Sequence, residues 1–457
     1  MEFKGISFEV GNRAKYDEGF MPMAKFNGAF LALARKPICV AVTRNGGLCA
    51  VCDTFITGTN WDADCYYVER LVKCLLWAKG GYRVTVCGDK KMGAYVREVF
   101  SATGKYAFDY FMMARIYERP FEVIVAPMNE RPAENEQAKA VGGKRDGCRI
   151  GFDAGGSDRK VSAVVDGEAI FSEEVVWHPK TNADPDYHFS GIVEAMKTAA
   201  SKMPRVDSIG ISSAGIYIEN RTMVASLFLK VPPADFEAKV KDIYIRAGAE
   251  IGAEIPINVV NDGDVTALAG AMEFNENNVL GIAMGTSEAG GYIDENGHIK
   301  GWLNELAFCP VDASPTAMVD EWAGDIGCGV KYFSQDGVIK LALAAGIELD
   351  TTRPPAENLK IIQDLFASPN PCSQEVAGGI FQSIGVYLGH TLPYYWDLYG
   401  FKHVLLLGRV MSGKGGDIII ETARKVLAEE YPQYVFNMHT PDEKARRVGQ
   451  SVAAASL

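Results

Sequence analysis

Long apolar runs are missing from this chain. No stretch of its 457 residues reaches the roughly 18 uninterrupted apolar residues that a membrane-crossing helix needs, so no membrane partner is expected. The opening MEFKGISFEVGNRAKYDEGF has an acid second and no long apolar core, unlike a secretion signal, and a cytoplasmic location is expected. Basic charge is also short: 46 Lys and Arg face 58 Asp and Glu, a net charge of −12. The deficit is uneven. Residues 1–148 carry 21 basic and 17 acidic side chains, a local +4 that leaves −16 for the remainder. An acidic main body argues against nucleic acid as the principal partner. It also obliges any anionic substrate to find local basic groups or backbone N–H groups. The ten cysteines are scattered, six of them before residue 90. Cys49 and Cys52 have CxxC spacing, but LCAVCDTF alternates like a strand and puts positions i and i+3 on opposite faces. Such a pair chelates poorly, and free thiols of a reducing cytoplasm are expected.

What is present suffices for a large globular core: 48% of residues are hydrophobic and 23% charged, so extended disorder is not expected. The length implies two or three domains. The polar stretch NERPAENEQAKAVGGKRDG carries Pro and Gly without apolar periodicity and reads as a linker or surface crossing. Before it, ICVAVTRNGGLCAVCDTFI has two apolar runs about an Asn-Gly-Gly turn, a hairpin signal. An amphipathic helix, DADCYYVERLVKCLLWAKG, and the strands YRVTVCG and FEVIVAP follow. After the linker, RIGFDAGG and VSAVVDGEAIFSEEVVW read as strands, HFSGIVEAMKTAASKM as a helix and VDSIGISSAG as a strand. The hairpin–helix–strand recurrence is taken as two unrelated α/β units rather than a duplication.

Four short stretches carry candidate chemistry. In Asp153-Ala-Gly155-Gly156-Ser157, two glycines let backbone N–H groups approach a phosphate, Ser157 adds a hydroxyl, and Asp153 is placed to hold Mg²⁺. PINVVNDGDVTALAGAM, residues 256–272, is an apolar strand ending on Asn261-Asp262 and entering a helix. A carboxylate there reads as an N-cap or as a functional acid, and the two roles are compatible. Gly285-Thr286-Ser287-Glu288-Ala-Gly290-Gly291 is a second glycine- and hydroxyl-bearing turn between strands. Finally, His403-Val-Leu-Leu-Leu-Gly408-Arg409 is a buried strand ending on glycine, a place that suits an adenosine moiety or a plain strand–helix turn.

The order of these stretches resembles the sugar kinase–Hsp70–actin superfold, and more closely the ROK family of bacterial sugar kinases and repressors. The resemblance covers residues 149–457. It implies an α/β chain with a two-lobed, actin-like (ribonuclease H-like) ATPase fold behind an additional N-terminal α/β domain. The implied divisions are 1–128 for that domain, 129–148 for the linker, and 149–270 and 271–457 for the two lobes. By the match, Asp262 is the general base that takes a proton from a sugar hydroxyl, and Asn261 hydrogen-bonds the sugar. The family's E-I-G-H segment falls on Glu305-Leu-Ala-Phe308, so Glu305 is a sugar ligand, and Asp312, Tyr332 and Ser334 also fit the family pattern. Gly155, Gly156, Ser157, Gly285, Thr286 and Gly408 are the implied nucleotide-binding residues, with ATP and Mg²⁺ as cofactors.

The departures fall mostly on the nucleotide side. The family's zinc ligands fall on Phe308, Glu321, Ala323 and Cys328; one thiolate cannot hold tetrahedral Zn²⁺, so no structural zinc is expected. Asp158 stands where the family usually has Lys, Arg409 where it has a second glycine, and Glu288 in the second phosphate turn, where a negative charge beside phosphates is expected. Arg159 and Lys160 are candidates to compensate. The implied function is ATP-dependent phosphorylation of a sugar hydroxyl. The alternative is a ROK-like sugar-binding or regulatory protein that has lost nucleotide binding. An ATPase acting on a protein partner would not need Glu305. The N-terminal unit carries no motif, which leaves homodimerisation and covering of the active site as its two open roles.

Overall fold

The Asn45-Gly46-Gly47 turn holds both glycines at positive φ, 69° and 75°. It closes the hairpin expected there, of strands Lys36–Thr43 and Cys49–Ile56. This is the computed structural model of the chain, and it describes residues 1–136, 141–440 and 445–457. Residues 137–140 of the expected linker and 441–444 of the expected second lobe lie outside the described residues. No described helix is long and apolar enough to cross a membrane.

The chain is α/β throughout and builds three main sheets. In the first lobe the antiparallel meander Cys148–Ala154, Asp158–Val165, Glu168–Val176 is extended by Ser208–Ser213 and Ile257–Asn261, both parallel to its first strand. The register sets Asp153 opposite Ser212, and Ser213 opposite Asn261. The expected phosphate turn and the Asn-Asp strand end therefore share one sheet edge, at the carboxyl ends of parallel strands where such sheets bind ligands. The second lobe repeats the device with Glu288–Ile293, Val279–Met284, His403–Leu407 and Asn437–His439, in that order. Ala283 pairs with Leu407, which brings the Gly285 and Gly408 turns to a common edge.

The N-terminal sheet runs Cys49–Ile56, Lys36–Thr43, Arg83–Cys87, Glu122–Ala126. Its central strand is antiparallel to both neighbours, whereas the central strand of the first lobe is parallel to Ser208–Ser213. The two similar hairpins thus lead into different topologies. Its core is continuous with that of the second lobe: Phe26, Trp77 and Val84 share one buried cluster with Ile282, Tyr387 and Leu406. The first lobe keeps a core of its own around Ile150, Phe152, Ile209 and Ile211. Helix Ala445–Ala455 packs back on the first lobe, so closely that a Cβ on Gly151 or Gly210 would lie 1.7 Å from a helix carbonyl. The expected linker is no free tether over its described part. Cys49 N–H donates to the Asn135 carbonyl, while Glu136 takes Arg44 at 2.6 Å and the Trp302 indole N–H at 2.7 Å. All ten cysteines are free thiols, and Cys372 alone among them is exposed.

Helix Trp61–Ala78 joins the N-terminal unit to the second lobe. It enters on an Asn60 cap, with Asp62 and Asp64 in its first turn. Its inward face carries Arg70 and Lys73, both buried. Arg70 reaches Asp325 at 2.6 Å and the Ile326 carbonyl at 2.6 Å; Lys73 lies 3.0 Å from Asp109 and 3.3 Å from Asp325. Burial would push the Asp325 carboxyl up, but Arg70 and Lys73 outweigh it and hold the group at about 2. Replacing Asp325 with Asn leaves two buried cations short of their partner. A loss of about 3–5 kcal/mol in unfolding free energy is expected by denaturant titration at pH 7. A loss near zero would mean that this pairing does not hold the two units together.

Candidate active site

Strand Ile257–Asn261 ends where helix Asp262–Phe274 begins. The cap is Asn261, not Asp262 as the sequence suggested. The Asn261 Oδ1 accepts the Gly263 N–H at 2.7 Å, and its Nδ2 donates to the Gly215 carbonyl at 2.7 Å. The amide does the capping because its residue still has non-helical backbone, which leaves Asp262 as the first helical residue. The Asp262 carboxyl is raised by burial; the N–H groups of Gly263 and its own residue, and Lys180, pull it back. Close packing fixes the start of this helix: a Cβ on Gly263 would lie 2.1 Å from the Gly290 carbonyl, and one on Gly291 2.0 Å from the Gly263 carbonyl. Gly290 and Gly291 therefore serve helix–strand contact.

The next turn of the helix positions the expected sugar ligand. Asp264, buried, accepts the Tyr292 N–H at 2.9 Å and the Asn304 Nδ2 at 2.7 Å. The Asn304 Oδ1 accepts the Tyr399 hydroxyl at 3.0 Å. Backbone N–H groups of Asn304 and Glu305 donate to the Ala78 and Trp77 carbonyls, both at 3.0 Å, at the end of helix Trp61–Ala78. Glu305 is thus held between the Asp262 helix and the N-terminal unit. Burial first, and then Asp262 and Asp264, push Glu305 to about 7. Burial and Asp262 also raise Asp264 to about 7. Asp153 rises to about 6, chiefly by burial and against the Ser212 hydroxyl that donates to it at 2.8 Å. The site is a set of buried carboxylates, all raised above the ordinary range, suited to accepting or sharing protons.

On the side expected to take a nucleotide, Gly155, Gly156 and Ser157 form the expected turn between strands. The Ser157 hydroxyl donates to Asp158 at 3.0 Å, and Lys160 pairs with Asp158 at 2.8 Å, lying 4.0 Å from Asp153. Arg159 turns away to the Gly191 carbonyl and Glu194. Of the two expected compensating cations, only Lys160 serves this loop. Lys180 was missed: a Cβ on Gly156 would lie 2.9 Å from its ammonium, and it acts on Asp262. It sits after a strand with no motif around it, so nothing local marked it.

Thr286 and Ser287 are exposed at the second turn. Glu288 is not beside the phosphates. It is 2% exposed, opens strand Glu288–Ile293 with its side chain inward, and accepts the Tyr395 hydroxyl at 3.2 Å. The reason is the alternation of a strand, which gives successive side chains to opposite faces. Burial pushes it to about 8, so it is largely neutral at pH 7. Gly408, at φ 103°, lies against the Met284 carbonyl, which a Cβ would approach to 2.3 Å. With Thr266, Gly270, Glu273, Leu407 and Arg409 it lines a cavity of about 300 Å³. At the zinc-motif positions, Phe308 packs on Trp77 with centroids 4.2 Å apart and the rings tilted by 32°, Glu321 takes Lys331 at 2.6 Å, and Cys328 lies 3.8 Å from Asp325. Among the described residues no three His, Cys, Asp or Glu side chains gather as a metal site.

Glu288 offers a stability test. Its folded pKa lies above the unfolded value, so the folded state loses stability as pH rises from about 4.5 toward 8. Glu288→Gln removes that dependence. The melting temperature of the variant, relative to the parent chain, is expected to rise between pH 5 and pH 8; a constant difference would show that Glu288 does not titrate in this range.

No protein-family model matches the chain, and no curated protein does. Solved structures do. A ROK hexokinase from Thermus thermophilus matches at 17% identity and a TM-score of 0.51, over 68% of this chain and 97% of that one. A ROK family glucokinase from Streptomyces griseus, in complex with glucose and AMPPNP, matches at 19% identity and 0.48, over 68% and 98%. A ROK family transcriptional regulator, a homologue of the E. coli MLC protein, matches at 17% and 0.48, over 68% and 78%. The strand order of the two lobes and the likeness to the hexokinase agree, and the chain has the two-lobed, actin-like fold of the ROK sugar kinases.

Proposed function

We propose that the chain is an ATP-dependent kinase of a sugar hydroxyl, with Asp262 as general base. The observation that carries this is the charge arrangement of the cleft. Asp262 acts on the Glu305 carboxyl, while both acids that would repel a polyphosphate are disarmed, Asp158 by Lys160 and Glu288 by burial. Lys180 adds a cation beside the Gly155–Gly156 turn.

The residues fit a nucleotide. The Gly155–Ser157 and Gly285–Ser287 turns bring glycines and hydroxyls to the strand ends, and the cavity beside Gly408 has room and apolar walls for a base. Asp153, at the carboxyl end of its strand, would hold Mg²⁺ with Asp262 nearby. Bound Mg²⁺-ATP would supply the γ-phosphoryl group and neutralise charge as it transfers. The chain's own part is the acceptor. A sugar hydroxyl is a very weak acid, so a carboxylate that takes its proton late in transfer assists the attack. The raised Asp262 pKa makes it a stronger base than an ordinary aspartate, provided that it is ionised. Glu305 and the remaining N–H of the Asn261 amide would orient the sugar.

Titration calorimetry with AMPPNP and Mg²⁺, followed by a sugar-panel assay of ADP release, tests the reading. Asp262→Asn is expected to lower kcat by about 10²–10⁴-fold with sugar affinity retained. Because the carboxylate must be ionised, activity should fall on acidification with a midpoint above the ordinary aspartate value. No nucleotide binding up to several millimolar would sink the kinase and leave a sugar-binding relative.

A further inference from the structure

One turn beyond Glu305 begins an aromatic cluster that the proposed chemistry does not use. Phe308 closes the single 3₁₀ turn that starts at Glu305, its N–H donating to the Glu305 carbonyl at 3.2 Å. Its ring packs on Trp77 and lies 5.6 Å from Phe108, the latter on the N-terminal helix Ala107–Tyr117. Beyond it stands Trp322, nearly parallel to Phe308 at 16° with centroids 6.4 Å apart, and 61% exposed. Val319 nearby in sequence is 50% exposed.

The exposure of Trp322 is not that of a loose loop tip. Its turn is tied by the Ala323 N–H to the Asp320 carboxylate at 2.8 Å, the Gly324 N–H to the Asp320 carbonyl at 2.8 Å, and the Asp320 N–H to the Asp325 carbonyl at 2.8 Å. Glu321 is held by Lys331, and Asp325 at the foot of the turn is held by Arg70 and Lys73. A large exposed aromatic face on a turn tied in this way, one ring beyond Phe308, leaves a ligand less backbone freedom to remove.

On the reading of Glu305 as a sugar ligand, we infer that the substrate is larger than a monosaccharide: a disaccharide or glycoside whose second pyranose ring lays its C–H face on Trp322. A pyranose ring has a face of C–H bonds and an edge of hydroxyls, which suits an exposed indole beside a polar group. Phe308, one turn from Glu305 and in contact with Trp322, fits the same account because it demands no hydrogen bond.

The test is calorimetry of the full-length protein with glucose, mannose, galactose, N-acetylglucosamine, cellobiose, maltose, lactose and chitobiose. At least one disaccharide is expected to bind about tenfold tighter than its component sugars, roughly 1.4 kcal/mol. Trp322→Ala should abolish that gain and leave monosaccharide affinity within about twofold, as a solvent-exposed side chain permits. Trp322→Phe should restore part of it, which separates stacking from misfolding. Monosaccharide binding without any disaccharide gain, or equal losses for both in Trp322→Ala, overturns the inference while Glu305 keeps its role. Binding of none of these sugars overturns both.

Discussion

Four buried charges determine how the rest of this molecule is arranged. Arg70, Lys73, Asp109 and Asp325 come from the N-terminal unit and from a loop far along the chain, and each is nearly inaccessible to water. An ionised group out of water is costly unless a partner is close and well placed, so the cluster tolerates very few geometries. Helix Trp61–Ala78 and the 320–328 loop must therefore stay in register. The same helix ends on the two carbonyls that receive the N–H groups of Asn304 and Glu305. The position of Glu305 is thus set by a segment of the N-terminal unit. The continuous core beneath says the same in apolar terms, since the N-terminal unit and the second lobe bury their side chains together.

At the positions where the resemblance puts zinc ligands, this chain has Phe308, Glu321 paired with Lys331, Ala323, and Cys328 beside Asp325. The loop is braced from the N-terminal unit, by Arg70 and Lys73 on Asp325 and by Trp77 on Phe308. Such a set of salt links and packed rings cannot be built by the loop alone. It needs a second element packed against the loop, and the first third of the sequence supplies it.

The cleft shows how burial and pairing divide the work of electrostatics. Asp153, Asp262, Asp264 and Glu305 are all raised, in each case with burial as the largest cause. Asp158 lies only an ion pair away from the same loops, and Glu288 is turned into the core. Two acids that look alike in sequence are thus neutralised by different means, one by a lysine and one by desolvation.

Much of the local structure could be read from the residues alone. The Asn-Gly-Gly hairpin, the strand ending on Asn261-Asp262, the glycine turns and the colinear order of motifs are short-range matters of backbone preference and period, and the structure has them in place. The roles of particular side chains were less legible. Asn261 rather than Asp262 caps the helix, because the cap falls on the last residue with strand-like backbone. Gly290 and Gly291 admit a helix, and Glu288 points inward because strand alternation assigns its face. Lys180 takes the place beside the Gly155–Gly156 turn that sequence proximity gave to Arg159. Sequence by itself determined which elements form and in what order the motifs come. Tertiary structure alone decided which acids are buried, which cations answer them and what braces Glu305, because burial and Coulomb interaction depend on distance in space, and Arg70 and Asp325 stand 255 residues apart in the chain.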